Sequence, residues 1–303
     1  MGERRTSIEV QRELERIIGE VDGGVGVAAW PVGKPDAIIG VNAEELFPTA
    51  STFKIPLLYA LYQMVDRGEI SLSQRVRIEA HHRVPGSGVL QDLDPGLEPT
   101  IRDIAILMTV VSDNQGTDLL YNIVGTERIH AALDGLGLKQ TRVPMTTKQL
   151  LFNYVGLDAS DPAHTYDMSL ARMRAGEFDY DAAAWSDQAG SGNDLTTPRE
   201  MAALCDAIEQ GIGLSSASRD GVIDIMKRQK FNDRIPAGLP ENIDVAHKTG
   251  SLKGVRNDAG VVYPPNGQPY VISLFSKRLT DERAGVNALS ELSRVVWETL
   301  GVS

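Results

Sequence analysis

The chain has 303 residues, of which 42% are hydrophobic and 23% charged, with a net charge of −11 and a single cysteine. This length holds one large domain or two medium ones, and the composition is that of a globular protein. The acidic balance argues against nucleic acid or an anionic membrane surface as partner, and one cysteine excludes an intrachain disulfide and a thiolate-rich zinc site.

The first residues, Met1-Gly2-Glu3-Arg4-Arg5, are charged and lack the apolar core of a secretory leader. The expectation is a cytoplasmic protein or the mature form of an exported one. Ile8, Leu14, Ile17, Ile18 and Val21 recur at helical spacing. Strands are expected at 25–30 and 37–41, on either side of a turn containing Pro31 and Pro35. Leu57, Leu58, Leu61, Met64 and Val65 form an apolar stripe after Lys54, with Pro56 in the first turn, where its missing N–H costs little. Thr100 with Asp103 makes a capping-box start for a helix that ends at Ser112. A further helix is expected through Leu119, Leu120 and Ile123, and another capped by Thr126. The segment 154–194 is rich in Asp, Ala, Gly and Ser and reads as a long surface loop. Thr197-Pro198-Arg199-Glu200 places a cap, a proline at the first helical position and a glutamate at the third. Cys205 follows in an apolar helical stretch and reads as a buried small hydrophobe.

The chain then returns to strands at 245–250, 258–263 and 270–276, the last two joined by a turn with Asn266-Gly267. A final amphipathic helix carries Val286, Leu289, Leu292, Val296 and Leu300. Strands at both ends with helices between them predict an α+β fold. It would be one antiparallel sheet flanked by N- and C-terminal helices, with an all-helical domain inserted. The expected boundaries are 1–50 with 216–303 for the sheet domain and 51–215 for the helical one, the active site lying where they meet.

Three strings carry the chemistry: Ser51-Thr52-Phe53-Lys54, Ser112-Asp113-Asn114 and Lys248-Thr249-Gly250. A serine hydroxyl is a poor nucleophile until a base takes its proton. Ser51 and Lys54, three apart at a helix start, share a face, so the amine can reach the hydroxyl. Lys54 serves as base only if its pKa is lowered, by burial or by positive charge such as that of Lys248. The five histidines show no metal-ligand spacing and none reads as a triad base. A Ser-x-x-Lys alone arises about once by chance in such a chain, whereas the other two strings are each rare.

Found together and in this order, the three strings resemble those of class A β-lactamases and penicillin-binding proteins, and the resemblance covers the whole chain. It implies Ser51 as the acylated nucleophile, Lys54 as base and Ser112 as proton donor to the leaving nitrogen. It implies that Asn114 holds the substrate's acylamino side chain, that Lys248 and Thr249 bind its carboxylate, and that Gly250 admits the ligand to the backbone. Ser51 and Ser251 would supply oxyanion-hole N–H groups, and Arg256 added carboxylate affinity. The expected ligand is a β-lactam or another small acyl substrate, turned over without a cofactor by a monomer. The alternatives are a related esterase, amidase or D-peptidase, or a penicillin-binding protein that is acylated but released slowly.

The resemblance breaks at one place. Class A enzymes deacylate with a glutamate separated by two residues from a Leu-Asn pair, on the loop before the Thr-Thr-Pro helix start. That string is absent here. Asp194 and Thr196-Thr197-Pro198 match the end of the loop, Arg172 or Arg174 is the expected partner of Asp194, and Glu177 is the loop's only glutamate. Glu177 is therefore the candidate deacylating base, with Asp179 and Asp181 nearer in count but shorter in reach.

Overall fold

The computed structural model describes residues 6–301; the charged start at 1–5 lies outside them. The chain divides into two compact units, Met1–Thr52 with Thr196–Ser303, and Phe53–Leu195. Along the chain the strands are β1 (Gly24–Pro31), β2 (Ile39–Val41), β3 (Phe47–Pro48), β4 (Leu195–Thr196), β5 (Asp244–Leu252), β6 (Val255–Tyr263) and β7 (Tyr270–Lys277).

The first unit is built on a five-stranded sheet in the order β2-β1-β7-β6-β5, every neighbouring pair antiparallel. β7 is buried along its whole length, which places it at the centre. Its side chains alternate between faces, as the period of two requires. Tyr270, Ile272 and Leu274 join Val25, Val27 and Ala29 of β1 in a core completed by the helices Ser7–Gly19 and Glu282–Val296. The alternate residues of β1 and β7 meet helix Pro198–Gln210: the Trp30 indole N–H reaches Asp206 Oδ2 at 2.9 Å, and the Ser273 hydroxyl bonds the Pro198 carbonyl. That helix, capped by Thr197 as its sequence predicts, belongs to the sheet unit and not to the helical stretch expected to run to 215. The reason is its apolar face: Met201, Ala202, Leu204, Cys205 and Ile208 are buried. In the first helix Val10, Leu14 and Ile17 are buried, whereas Ile8 is 63% exposed, off the apolar face assigned to it.

The second unit is helical. Helix Lys54–Asp66 is buried from Lys54 to Tyr62 and forms its centre. Helices Ile101–Val110, Asn114–Val124 and Thr126–Gly135 pack around it. A helix apolar on all sides belongs inside, so the stripe in the sequence understated its burial. Thr100 and Asp103 form the expected capping box. Thr126 is the first helical residue and makes no cap; its hydroxyl bonds that of Tyr121.

The segment 154–194 is more ordered than a surface loop. Helix Tyr166–Ala175 is capped by Thr165 and buries only Ser169, so it leaves no apolar period to detect. Trp185 stacks on Tyr154 with ring centroids 3.9 Å apart, and Phe178 meets both rings edge-on. Among the described residues no helix is long and apolar enough to cross a membrane.

Candidate active site

In the helical unit the site is assembled around Lys54, the first residue of the central helix. Its Nζ donates to Ser112 O at 2.9 Å, Ser112 Oγ at 3.0 Å and Asn114 Oδ1 at 2.9 Å. Lys54 is 1% exposed. Burial pulls its pKa from 10.5 to about 7, against the opposing pull of the Asp113 and Asp118 carboxylates. Burial, and not a neighbouring cation, therefore makes this amine a base near neutrality. Ser112 forms the corner between two helices with a φ of 57°, a left-handed conformation that a non-glycine residue holds only when its surroundings enforce it. Asp113 does so: Oδ1 caps the helix at Gly116 N, and Oδ2 accepts Val89 N and Leu90 N. Asn114 is fixed by its own Nδ2, which donates to Pro85 O at 2.8 Å.

In the sheet unit, Ser51 lies in the 3-10 turn Ala50–Phe53, which leads into the helix beginning at Lys54, and its side chain is partly exposed. Ala50 before it has a φ of 44°. Two elements press this turn into place. Asn257 of β6 donates to Pro48 O and Thr49 O at 2.8 and 3.0 Å. Gly250 of β5 runs so close that a Cβ there would stand 2.7 Å from Thr49 O and 3.1 Å from Ser51 N. Glycine is required for that approach, and it brings the Ser51 N–H beside the edge strand. Lys248 and Thr249 are buried in β5, with Lys248 Nζ donating to Thr249 O at 2.7 Å, and Ser251 is exposed.

A family model described as Beta-lactamase enzyme family matches residues 9–300. The chain belongs to that family. Beta-lactamase VEB-1 of Pseudomonas aeruginosa is 25% identical over 94% of this chain and 88% of its own length. A β-lactamase crystal structure from Sphaerobacter thermophilus superposes with a TM-score of 0.79 at 27% identity, covering 99% of both chains. A mutant of PBP-A carrying leucine changed to glutamate, solved as an acyl-enzyme with penicillin G, gives 0.78 at 27% identity over 98% of both chains. The expected α+β fold, a sheet with an inserted helical segment, is the fold of these neighbours.

The site differs from its sequence reading at the periphery. Arg256 does not extend into open space: it pairs with Glu282 and donates to Leu252 O and Val255 O. The cation that reaches the Lys248–Ser251 strand is Arg234, which the sequence did not single out. It is 4% exposed and donates to Ser251 Oγ at 2.7 Å, Asn257 O at 2.9 Å and Gly250 O at 3.3 Å, while its Nε has no hydrogen-bond acceptor. Its segment is held by a buried pair that joins β5 to β6. His247 Nδ1 lies 2.9 Å from Asp258 Oδ1 and its Nε2 lies 3.2 Å from Asn232 Oδ1, while Asp258 Oδ2 accepts Ile235 N. No local motif announces Arg234, since only the sheet register brings it to Gly250.

The loop expected to carry the deacylating base is arranged differently from its sequence reading. Glu177 stands exposed at the exit of helix Tyr166–Ala175, its N–H on Arg172 O. Arg172 donates to Val155 O and Gly156 O, and Asp194 Oδ1 accepts Met145 N, so the expected Arg172–Asp194 pair is replaced by backbone contacts. Burial raises the Asp194 carboxyl well above the usual range, the nearby Asp118 charge adding to it. Asp179 Oδ1 accepts Asp181 N, turning that carboxylate into its own loop.

Proposed function

We propose that this chain is a serine β-lactam hydrolase working through an acyl-enzyme on Ser51. The observation that carries the reading is the buried Lys54, poised near neutrality and hydrogen-bonded to Ser112 and Asn114. In its neutral form the amine takes the Ser51 Oγ proton as Oγ attacks the lactam carbonyl. The Ser51 and Ser251 N–H groups stabilise the oxyanion. The proton moves through Ser112 Oγ to the lactam nitrogen as the C–N bond breaks. Asn114 orients the acylamino group, and Lys248, Thr249 and Arg234 bind the carboxylate. Arg234 takes the place given to Arg256 from sequence, because its guanidinium meets β5 and that of Arg256 is committed to Glu282. The enzyme needs no cofactor and acts as a monomer on a small acyl substrate.

A second reading, slow deacylation in the manner of a penicillin-binding protein, is favoured by the loop. The carboxylates that act on Lys54 are those of Asp113 and Asp118, and neither comes from the segment 177–194. Time-resolved intact mass after adding penicillin G separates the readings. Hydrolysis gives an adduct on wild type that returns to the free mass within minutes, and none on Ser51→Ala. A persistent adduct selects the second reading, and no adduct at all overturns both. Glu177→Gln slows the return if Glu177 is the base and leaves it unchanged otherwise.

A further inference from the structure

The segment before the Ser112 corner approaches it closely. Gly88 has a φ of 113°, and a Cβ there would stand 2.4 Å from Asp113 Cγ. Asn114 N donates to Ser87 O at 2.9 Å, so the backbone of Ser87 is tied to the corner. Its side chain turns to the same place. Ser87 Oγ donates to Ser112 O at 2.8 Å and lies 3.3 Å from Asn114 Oδ1. These are the two carbonyl oxygens that also accept from Lys54 Nζ.

The shared acceptors matter because the ammonium of Lys54 has three hydrogens and three oxygen partners. When it becomes the neutral base it loses one donor and must offer a lone pair to a hydroxyl. With its lone pair turned to the hydroxyl it deprotonates, it has two N–H groups for three oxygens, so one of the three gives up its donor in a buried setting, and an unmade buried hydrogen bond is costly. A hydroxyl already donating to Ser112 O lowers that cost in the neutral state and competes with the ammonium in the charged one. We propose that Ser87 is a positioning residue for Lys54, its hydroxyl keeping the Ser112 carbonyl hydrogen-bonded when Lys54 gives up its proton, which leaves an N–H of the neutral amine for Asn114 Oδ1. The inference rests on Lys54 being the base of the proposed reaction. The charges facing Lys54 are the carboxylates of Asp113 and Asp118, and substitution of Ser87 leaves both in place.

Ser87 is itself exposed, so in an alanine variant water can stand in for the hydroxyl. The informative pair is Ser87→Thr and Ser87→Val, which have the same shape and differ by one hydroxyl. In the ligand-free protein, the Lys54 Cε chemical shift followed by ¹³C NMR against pH, with Lys54→Arg for assignment, reports the amine directly. The Val variant is expected to titrate about 0.5–1 pH unit higher than wild type, the equivalent of one lost hydrogen bond, and the Thr variant with wild type. The acylation rate constant for penicillin G should follow, with Val several-fold slower at pH 6–7 and equal to wild type at pH 9, where Lys54 is neutral in all variants. A merely structural role lowers the rate equally at every pH and leaves the Lys54 titration in place, and either result overturns the proposal. If wild type is not acylated, the proposed function falls, while the NMR titration still decides the role of Ser87.

Discussion

Lys54 Nζ lies 2.9 Å from Asn114 Oδ1, so the base of the site and the amide that would orient the substrate are hydrogen-bonded before any ligand arrives. The amine is buried, and burial lowers its pKa to about 7. The neutral form is the competent one, so acylation should rise through pH 7 and level off above it. Stopped-flow acylation by a chromogenic cephalosporin from pH 5 to 9 measures the midpoint. A rate that does not change across this range would remove Lys54 as the base.

The same shift carries a stability consequence of definite sign. The folded pKa, about 7, lies below the unfolded value of 10.5, so between these values the unfolded chain binds more protons and stability rises with pH. Below about 7 the whole penalty of the buried amine is present. Lys54→Met, which fills the same space without a charge, should abolish acylation and stabilise the fold by on the order of a few kcal/mol at pH 6. The gain should shrink as pH approaches 10. Urea unfolding of both proteins at pH 6, 8 and 10 checks it, and a pH-independent difference would contradict the assignment.

Arg234 offers a test of carboxylate recognition. A charge-assisted hydrogen bond contributes roughly 1.5–3 kcal/mol. Arg234→Ala should therefore lower kcat/KM for penicillin G by about 10- to 100-fold, mostly through KM. The methyl ester of the same penicillin lacks the carboxylate and should be far less affected. Arg256→Ala, whose native side chain is held by Glu282, should leave both substrates within a factor of about two of wild type.

Much of this architecture was legible because the local signals agreed with the fold. Thr100 with Asp103, and Thr197 with Pro198, mark helix starts by chemistry that needs no tertiary context. Strands 25–30 and 270–276 alternate apolar side chains to both faces and were readable as runs. Ser51 and Lys54 stood out by their three-residue spacing and Ser112 by the rare Ser-Asp-Asn string, and Lys54 Nζ lies 3.0 Å from Ser112 Oγ although 58 residues separate them. Arg234 was not legible, because its role arises from its contacts with Gly250, Ser251 and Asn257, which are close only after the sheet forms. Helix Tyr166–Ala175 was hidden because it buries almost nothing, and Asn257 because a clamp on Pro48 and Thr49 leaves no trace in sequence distance.

Asp113 links the stability of the corner to its chemistry, and two substitutions separate these roles. One carboxylate oxygen caps Gly116 N at 2.8 Å; the other accepts Val89 N at 2.6 Å and Leu90 N at 2.9 Å. Asp113→Ala leaves all three N–H groups without their acceptor, and a lost cap alone costs about 1 kcal/mol. With the buried donors added, a loss on the order of 3 kcal/mol is expected in urea unfolding. Asp113→Asn keeps a single oxygen and can serve only one side, so its loss should be intermediate. The Asp113 charge also holds the Lys54 pKa up against burial. In the Asn variant, which removes that charge with the least change of shape, the acylation midpoint should therefore move to lower pH than in wild type. Reduced stability together with an acid-shifted midpoint is the expected pairing. An unshifted midpoint would mean that the carboxylate serves the corner alone.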